Sequence, residues 1–413
     1  MRLRREVCAA AAGARTEQEF FTRLGQAGVL VRQRHSTTHP GEVTGYAVGL
    51  PQHAAKDGGV IWYGGGKLAA DLTLPKLRGR WADPTARNPL TGAAAMPGLA
   101  VRAVLRASVA DAAGQASGEA DFFARLRAAG VLVRERFSEV NPGQVTGYAV
   151  TLPGCTGPDG TLRWYGGGRL NDALTLPRLR STWAGGRRGT AERSEASRFT
   201  APERTEIYRH AARQAAAAAE HLRNCTAGDP GSGADAAWAA ADTLHAAARA
   251  TGSRVLRCAA DGYDRAARAP YGRVPRRTRE GDRLRAAARL LAMTGGSVGD
   301  GTGQAGALVA NLVALADAVA GLREAQAHAA QAAAAREAAE QLHAAFTQAR
   351  GRALHPGRVH PRPTRPSAPA GRAHDDFPVP LAQVLPVAVA EESVDVGSRP
   401  QAAQPPARAR PAR

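Results

Sequence analysis

The first 82 residues combine one helical pattern of apolar positions with several strand-like patterns. Phe20, Leu24 and Ala27 recur at spacings of four and three, which predicts a helix with one apolar face, and Gly28 suits the position after its end. Three predicted strands and a closing element follow: a strand at 29–34, a strand at 43–50, an aromatic strand at 60–66, and a short helix or turn at 67–81. This order predicts a helix followed by a three-stranded meander.

The same pattern occurs twice. Residues 19–81 align without a gap with residues 121–183, at an offset of 102, and 37 of the 63 positions are identical. Leu3 and Val7 also recur at this offset, which predicts one further helix at the start of each copy. The first half of the chain is therefore a tandem repeat of one small module.

The second half has the composition of long helices. Residues 203–350 consist largely of Ala, Arg, Glu and Gln, and Pro202 followed by Glu203 predicts a helix start. Apolar residues then recur at spacings of four and three, in a seam that continues more weakly to Phe346: Leu308, Leu312, Leu315, Val319 and Leu322. We expect this seam to pack within one chain, and a homodimer through the 308–346 helix is the alternative.

These patterns predict an α+β chain with a helical second half. The predicted parts are a first basic module at 1–82, a linker at 83–100, a second module at 101–184, an Ala-rich α-helical bundle or coiled coil at 203–350, and a disordered Pro/Arg-rich tail at 351–413. Twelve of the 26 prolines lie in that last segment, which is why we expect no packed core there.

Charge indicates a polyanionic partner. The formal net charge is +19, from 55 Lys+Arg against 36 Asp+Glu, and an excess of this size favours nucleic acid as the partner. The four cysteines form no CxxC pair, so neither a disulfide framework nor a zinc site is predicted. Because every alanine-rich stretch is interrupted by charged or polar residues, we expect a cytoplasmic protein without a membrane partner.

The repeat supplies candidate contacts to DNA. Backbone binding requires a row of cations beside small residues, and an exposed aromatic next to arginine suits single-stranded bases. The candidate nucleic-acid-binding residues are Arg32, Arg34, Trp62, Lys67, Lys76, Arg78 and Arg80 in the first copy, and Arg134, Arg136, Trp164, Arg169, Arg178 and Arg180 in the second. The competing interpretation is an aromatic core with solvated arginines, and for Tyr46 and Trp81 we favour it.

Two sets of residues resemble a known family. They are Ala27-Gly28-Val29, Arg32, Gly45-Tyr46, Trp62 to Leu68, and Leu74 to Leu77 in the first copy, which the second copy matches 102 residues later, and residues 242–291 in the helical half. By these residues the module resembles a segment that follows the nuclease domain in MobA-type conjugative relaxases, and the helical half resembles the carboxy-terminal region of actinobacterial relaxases. The resemblance covers most of 1–347 and implies a role in conjugation or plasmid mobilisation.

The chain departs from that family in its chemistry. A relaxase needs a tyrosine nucleophile and a histidine cluster that holds a metal ion, and the sequence shows neither pattern. His35 and His39 become Phe137 and Asn141 in the second copy, and His245 stands alone on an Ala-rich helix, where a packed or solvated histidine is expected rather than a ligand. We therefore predict no catalytic residue, no metal site and no cofactor.

Three functional hypotheses remain. The first is a non-catalytic DNA-binding mobilisation protein of the relaxosome type, with DNA and a relaxase or coupling protein as partners. The second is a protein-interaction scaffold that recruits a relaxase or coupling protein. The third is a metal-dependent DNA nickase with an unfamiliar site.

Overall fold

The computed structural model describes residues 2–14, 16–39, 41–53, 59–82, 96–185, 198–225, 230–268, 275–295 and 305–354. Most of the predicted linker and tail lies outside these residues. Two three-stranded antiparallel sheets with helices are followed by a helical bundle, so the predicted α+β class and the order of its parts are confirmed.

The first copy has the predicted helix and strands, preceded by a further helix. Its elements are α1 (Arg2–Gly13), α2 (Glu17–Gln26), β1 (Leu30–His35), β2 (Val43–Gly49), β3 (Tyr63–Gly64), α3 (Gly65–Leu68) and α4 (Leu74–Ala82). Helix α2 begins because the Thr16 side chain accepts a hydrogen bond from the Glu19 N–H, and the chain leaves it through Gly28 at φ 72°.

The third strand is much shorter than predicted. Only Tyr63 and Gly64 belong to it, and Gly65 already starts the short helix α3. A Cβ at Gly65 would overlap the carbonyl oxygen of Leu72 and the hydroxyl of Tyr46. The run of three glycines is therefore a place of close approach, which ends the strand early.

Strand β1 is antiparallel to β2, and β2 is antiparallel to β3. Directly paired residues share a face of the sheet, so one face carries Leu30, Arg32, Arg34, Gly45, Ala47 and Gly64, and we call it the outer face. The opposite, inner face carries Tyr46 and Val48, which are buried against α2 and α4. The sheet is thus apolar on one side and cationic on the other.

The second copy repeats this arrangement. Its elements are α5 (Gly98–Gln115), α6 (Glu119–Ala128), β4 (Leu132–Phe137), β5 (Val145–Thr151), β6 (Tyr165–Gly166), α7 (Gly167–Leu170), a 3-10 turn (Asp172–Leu174) and α8 (Leu176–Gly185). Its outer face carries Leu132, Arg134, Arg136, Gly147, Ala149 and Gly166.

Aromatic residues form the core of each copy. The Phe20 ring lies 5.3 Å from the Tyr46 ring and 5.6 Å from the Trp81 ring. The Tyr46 hydroxyl donates a 2.6 Å hydrogen bond to the Leu72 carbonyl, and its burial raises the pKa of the phenol. The interpretation of Tyr46 and Trp81 as core residues is therefore confirmed.

Within the described residues, six helices form the bundle: α9 (Ala201–Asn224), α10 (Pro230–Thr251), α11 (Arg254–Ala267), α12 (Arg279–Met293), α13 (Gly306–Ala325) and α14 (Ala329–Leu354). The predicted start near Pro202 is confirmed. The Thr200 hydroxyl accepts from the Glu203 N–H, and the Glu203 side chain accepts in return from the Thr200 N–H.

The prediction of one helix over 308–346 is wrong. Helix α13 ends at Ala325, the chain turns through Ala327 at φ 57°, and α14 packs back against α13. This turn contains neither glycine nor proline. Its composition is that of a helix, so the sequence pattern did not indicate it. All five seam residues from Leu308 to Leu322 are buried inside the chain, as expected for intrachain packing.

The two copies join the bundle differently. The core of the second copy is continuous with that of the bundle, through contacts of α5 with α9 and α12. The core of the first copy is a separate cluster, and α1 contacts α10 and α12 of the bundle. Ion pairs also join α1 to the bundle, namely Glu6 with Arg249 of α10 and Arg5 with Asp261 of α11.

Among the described residues, one helix is long and apolar enough to cross a membrane. This helix is α13, and 56% of its most apolar window is buried inside the bundle. The same length and composition occur in core helices, which is where α13 lies.

Candidate nucleic-acid interface

The outer face of the first copy presents two arginines above a floor of small residues. Arg32 and Arg34 are exposed and point the same way from β1. Their neighbours on this face are small. Gly45 and Ala47 on β2, and Gly64 on β3, have at most a methyl side chain. A flat floor of this kind lets a polymer backbone come close to the guanidinium groups.

Arg32 is held by an aromatic ring. Its Cζ lies 4.6 Å from the centre of the Trp62 ring, and Trp62 is half-buried beside the outer face. A cation–π contact of this type contributes about 0.5–1 kcal/mol at an exposed site and limits the rotamers of the arginine. The guanidinium and the indole together form a stacking platform.

Arg34 lies flat across a glycine. A Cβ at Gly45 would come within 3.0 Å of the Arg34 guanidinium, and the Arg34 Nε lies 3.4 Å from the Thr44 hydroxyl. Neither Arg32 nor Arg34 has a carboxylate partner within the described part of the chain. Their charge is therefore available to an anionic ligand.

The second copy reproduces this geometry. Arg134 lies 4.6 Å from the Trp164 ring, and a Cβ at Gly147 would come within 3.2 Å of Arg136. The same arrangement of arginine, tryptophan and glycine occurs in two copies that pack differently against the bundle. The platform is therefore a property of the module.

Three of the predicted contacts form ion pairs inside the protein. Arg78 pairs with Glu17 at 2.7 Å and also donates to the Val43 carbonyl. Arg180 makes the equivalent pair with Glu119 at 2.6 Å, and Arg80 pairs with Asp242 of the bundle. The structure thus gives these residues a role in joining elements.

The remaining predicted cations lie outside the two strands. Lys67 and Arg169 are exposed on α3 and α7, and Arg178 is exposed on α8. Lys76 is half-buried and donates a 2.9 Å hydrogen bond to the Ala70 carbonyl. The candidate interface therefore consists of Arg32, Arg34 and Trp62, with their counterparts in the second copy.

The aromatic pairs differ between the copies. Tyr165 is 5% exposed and Trp164 is half-buried on the outer face, as the alternation of side chains predicts. In the first copy Tyr63 is 42% exposed, so both aromatic residues are accessible there. The second copy therefore divides its aromatic pair between the core and the outer face, and the first copy does not.

The glycine run beside this surface yields a stability prediction. Replacing Gly65 by alanine should destabilise the protein by about 1–3 kcal/mol, because the new methyl group would overlap Leu72 and Tyr46. Gly64→Ala is the matched control, since its Cβ would meet only the Tyr46 carbonyl oxygen, at 4.0 Å. Urea denaturation should separate the two variants, and equal midpoints would contradict this account.

A buried polar cluster lies where the first copy meets the bundle. Cys8, His245 and Asp264 bring potential metal-ligand atoms within 4.8 Å of one another. The Arg4 guanidinium already lies 2.8 Å from the Asp264 carboxylate, and that of Arg268 lies 3.8 Å from the Cys8 sulfur. Burial and the nearby Asp264 carboxylate raise the pKa of the Cys8 thiol. With two cations in place and a protonated thiol, the cluster is explained as a buried ion-pair network.

Sequence reasoning missed this cluster. His245 was expected to be packed or solvated alone, but its Nε2 lies 3.1 Å from Asp264. Burial lowers the pKa of His245, yet Asp264 more than offsets this, so the pKa is raised. The pKa of Asp264 is lowered, because His245, Arg268 and Arg4 outweigh the effect of burial. The only signal in the sequence is the spacing of four between Asp264 and Arg268.

Comparison of the chain with protein-family models, with curated proteins and with solved structures gives no match.

Proposed function

We propose that this chain is a non-catalytic DNA-binding mobilisation protein of the relaxosome type, which grips the DNA backbone through its two outer faces. The observation that carries the proposal is the repeated platform of Arg32, Arg34 and Trp62, whose arginines lack acidic partners among the described residues. The net charge of +19 supports a polyanionic ligand.

The platform favours single-stranded DNA. Bases can stack on an indole that is paired with a guanidinium, and the adjacent arginine can contact a phosphate. The resemblance of the module to relaxase segments supports mobilisation as the context. In this proposal another protein, a relaxase or a coupling protein, supplies the DNA-cutting chemistry and acts with this chain in the cytoplasm.

Alanine at all four strand arginines should remove most DNA binding. We expect Arg32→Ala/Arg34→Ala/Arg134→Ala/Arg136→Ala to lower the affinity for a labelled single-stranded oligonucleotide by at least about tenfold. The logarithm of the binding constant decreases linearly with the logarithm of the salt concentration, and each phosphate contact to a single strand adds about 0.7 to the steepness of this line. Loss of four contacts should therefore make the line shallower by about three. Fluorescence anisotropy at several salt concentrations measures both quantities.

The matched control removes four exposed arginines from the helical half, namely Arg213, Arg223, Arg254 and Arg265. It has the same net charge as the test variant, so a similar loss of binding in both would show that only total charge matters. Full affinity in the test variant would contradict the proposed interface. Metal-dependent nicking of a supercoiled plasmid by the purified chain would support the nickase hypothesis instead.

A further inference from the structure

Strand β1 is an edge of the first sheet, and its free side borders a groove. In the described part of the chain, β1 pairs only with β2. The groove between β1 and α2 is lined by Glu17, Gln18, Phe21, Thr22 and Gln33. The Phe21 ring is half-buried and forms an apolar floor. An unpaired strand edge beside an apolar groove is the geometry in which extended peptides add to a sheet.

The same groove is closed in the second copy. Phe123, the counterpart of Phe21, is only 4% exposed, and the Arg127 Cζ lies 5.9 Å from its ring centre. Arg127 also forms an ion pair with Glu135 of β4, so the pair bridges the helix and the strand above the ring. We call this ion pair the lid.

The first copy cannot form a lid. Gly25 stands at the position of Arg127, and Gln33 stands at the position of Glu135. This difference lies in a region that is otherwise nearly identical, since Phe20-Phe21, Arg23-Leu24 and 27–32 all recur. The open groove is therefore specific to the first copy.

We propose that the open groove of the first copy binds an extended segment of a partner protein, which adds to β1 as a further strand. Alternate side chains of an added strand face opposite sides of the sheet. One set would lie over Phe21, which favours apolar residues. The other set would lie beside Arg32 and Arg34, which favours Asp or Glu. The ligand is thus a peptide with alternating acidic and apolar residues, and this inference does not depend on DNA binding.

Selection from a displayed library of random seven-residue peptides against the full-length chain tests the proposal. We expect the wild type to enrich peptides with acidic residues at alternate positions and apolar residues between them. The variant Arg32→Glu/Arg34→Glu should enrich basic residues at the same alternate positions. Selected peptides without an alternating pattern would overturn the proposal.

Exchanging the lid between the copies gives a matched pair of variants. Gly25→Arg/Gln33→Glu should weaken binding of a synthetic selected peptide by at least about tenfold, because the peptide must displace the new ion pair. A Cβ at Gly25 has no neighbour within 4 Å, so a side chain can begin there without a clash, and Gly25→Ala should bind like the wild type. Arg127→Gly/Glu135→Gln should raise the stoichiometry from one peptide to two.

Two further outcomes would refute the proposal. One is peptide binding that is unchanged by Gly25→Arg/Gln33→Glu. The other is a dimer in analytical ultracentrifugation that this variant dissociates, since the occupant would then be a second copy of the chain. Anisotropy with the single-stranded oligonucleotide is measured in parallel. The Gly25→Arg/Gln33→Glu variant keeps all four strand arginines, so its DNA affinity reports separately on the proposed function.

Discussion

Replacing Asp235 by alanine should destabilise the protein by about 3–5 kcal/mol, the cost of breaking a buried ion pair. The Asp235 side chain is 0% exposed and pairs with Arg285, which is 5% exposed. The same carboxylate accepts a 2.7 Å hydrogen bond from the Thr278 N–H, at the start of α12. The substitution would therefore leave a buried guanidinium without its main partner and a helix end without an acceptor.

Chemical denaturation measures this cost, and the exposed pair of Arg336 with Glu324 supplies the control. Because that pair is exposed, Glu324→Ala should cost less than about 1 kcal/mol. The double variant Asp235→Ala/Arg285→Leu should recover part of the loss, since it removes the unpaired charge. An Asp235→Ala protein as stable as Glu324→Ala would show that the buried pair has no such role.

Substituting Asp264 by asparagine should reverse the pH dependence that His245 gives to stability. In the wild type the pKa of His245 is raised above its ordinary value of 6.5. The stabilisation that protonated His245 gives to the folded state is therefore fully present below pH 6.5. It is lost as the pH rises through the raised pKa. Without the Asp264 carboxylate, burial is the largest remaining effect and lowers the pKa of His245 against the weaker attraction of Asp261 and Asp242. Stability should then be lost as the pH falls below 6.5.

Free energies of unfolding measured by urea denaturation between pH 5 and pH 9 show whether stability rises or falls with pH. Near the acid end we expect Asp264→Asn to cost about 3–5 kcal/mol, because His245 and Arg4 lose a buried partner. His245→Gln is the control, since it removes the titrating group and with it this pH dependence. Parallel curves for the wild type and Asp264→Asn would refute the assignment.

Local pattern was enough to predict most elements of the module, but not the early end of its third strand. Gly28 marks the end of α2, the pair Pro202-Glu203 marks the start of α9, and the offset of 102 shows that the sheet occurs twice. These signals act over a few residues, or repeat outright, so one sequence reveals them. The outer-face arginines were likewise predictable, because alternation along a strand fixes which side chains share a face.

Contacts over long separations were not predictable in this way. Arg80 finds Asp242 in the bundle, 162 positions away, and nothing beside Arg80 indicates this. The meeting of Cys8 with His245 depends on how α1 packs against α10, which no periodicity encodes. The turn at Ala327 escaped notice because a non-glycine residue adopts a conformation that usually favours glycine.

The attachment of both copies to one helix has a consequence for the length of ligand. Helices α1 and α5 each contact α12, so the two platforms are attached to one common helix. If a flexible linker joined the two platforms, both could bind one ligand of almost any length. Two platforms at a fixed distance can both bind only a ligand that is long enough to reach from one to the other. Under the proposed function, oligonucleotide affinity should therefore rise in one step at a threshold number of nucleotides.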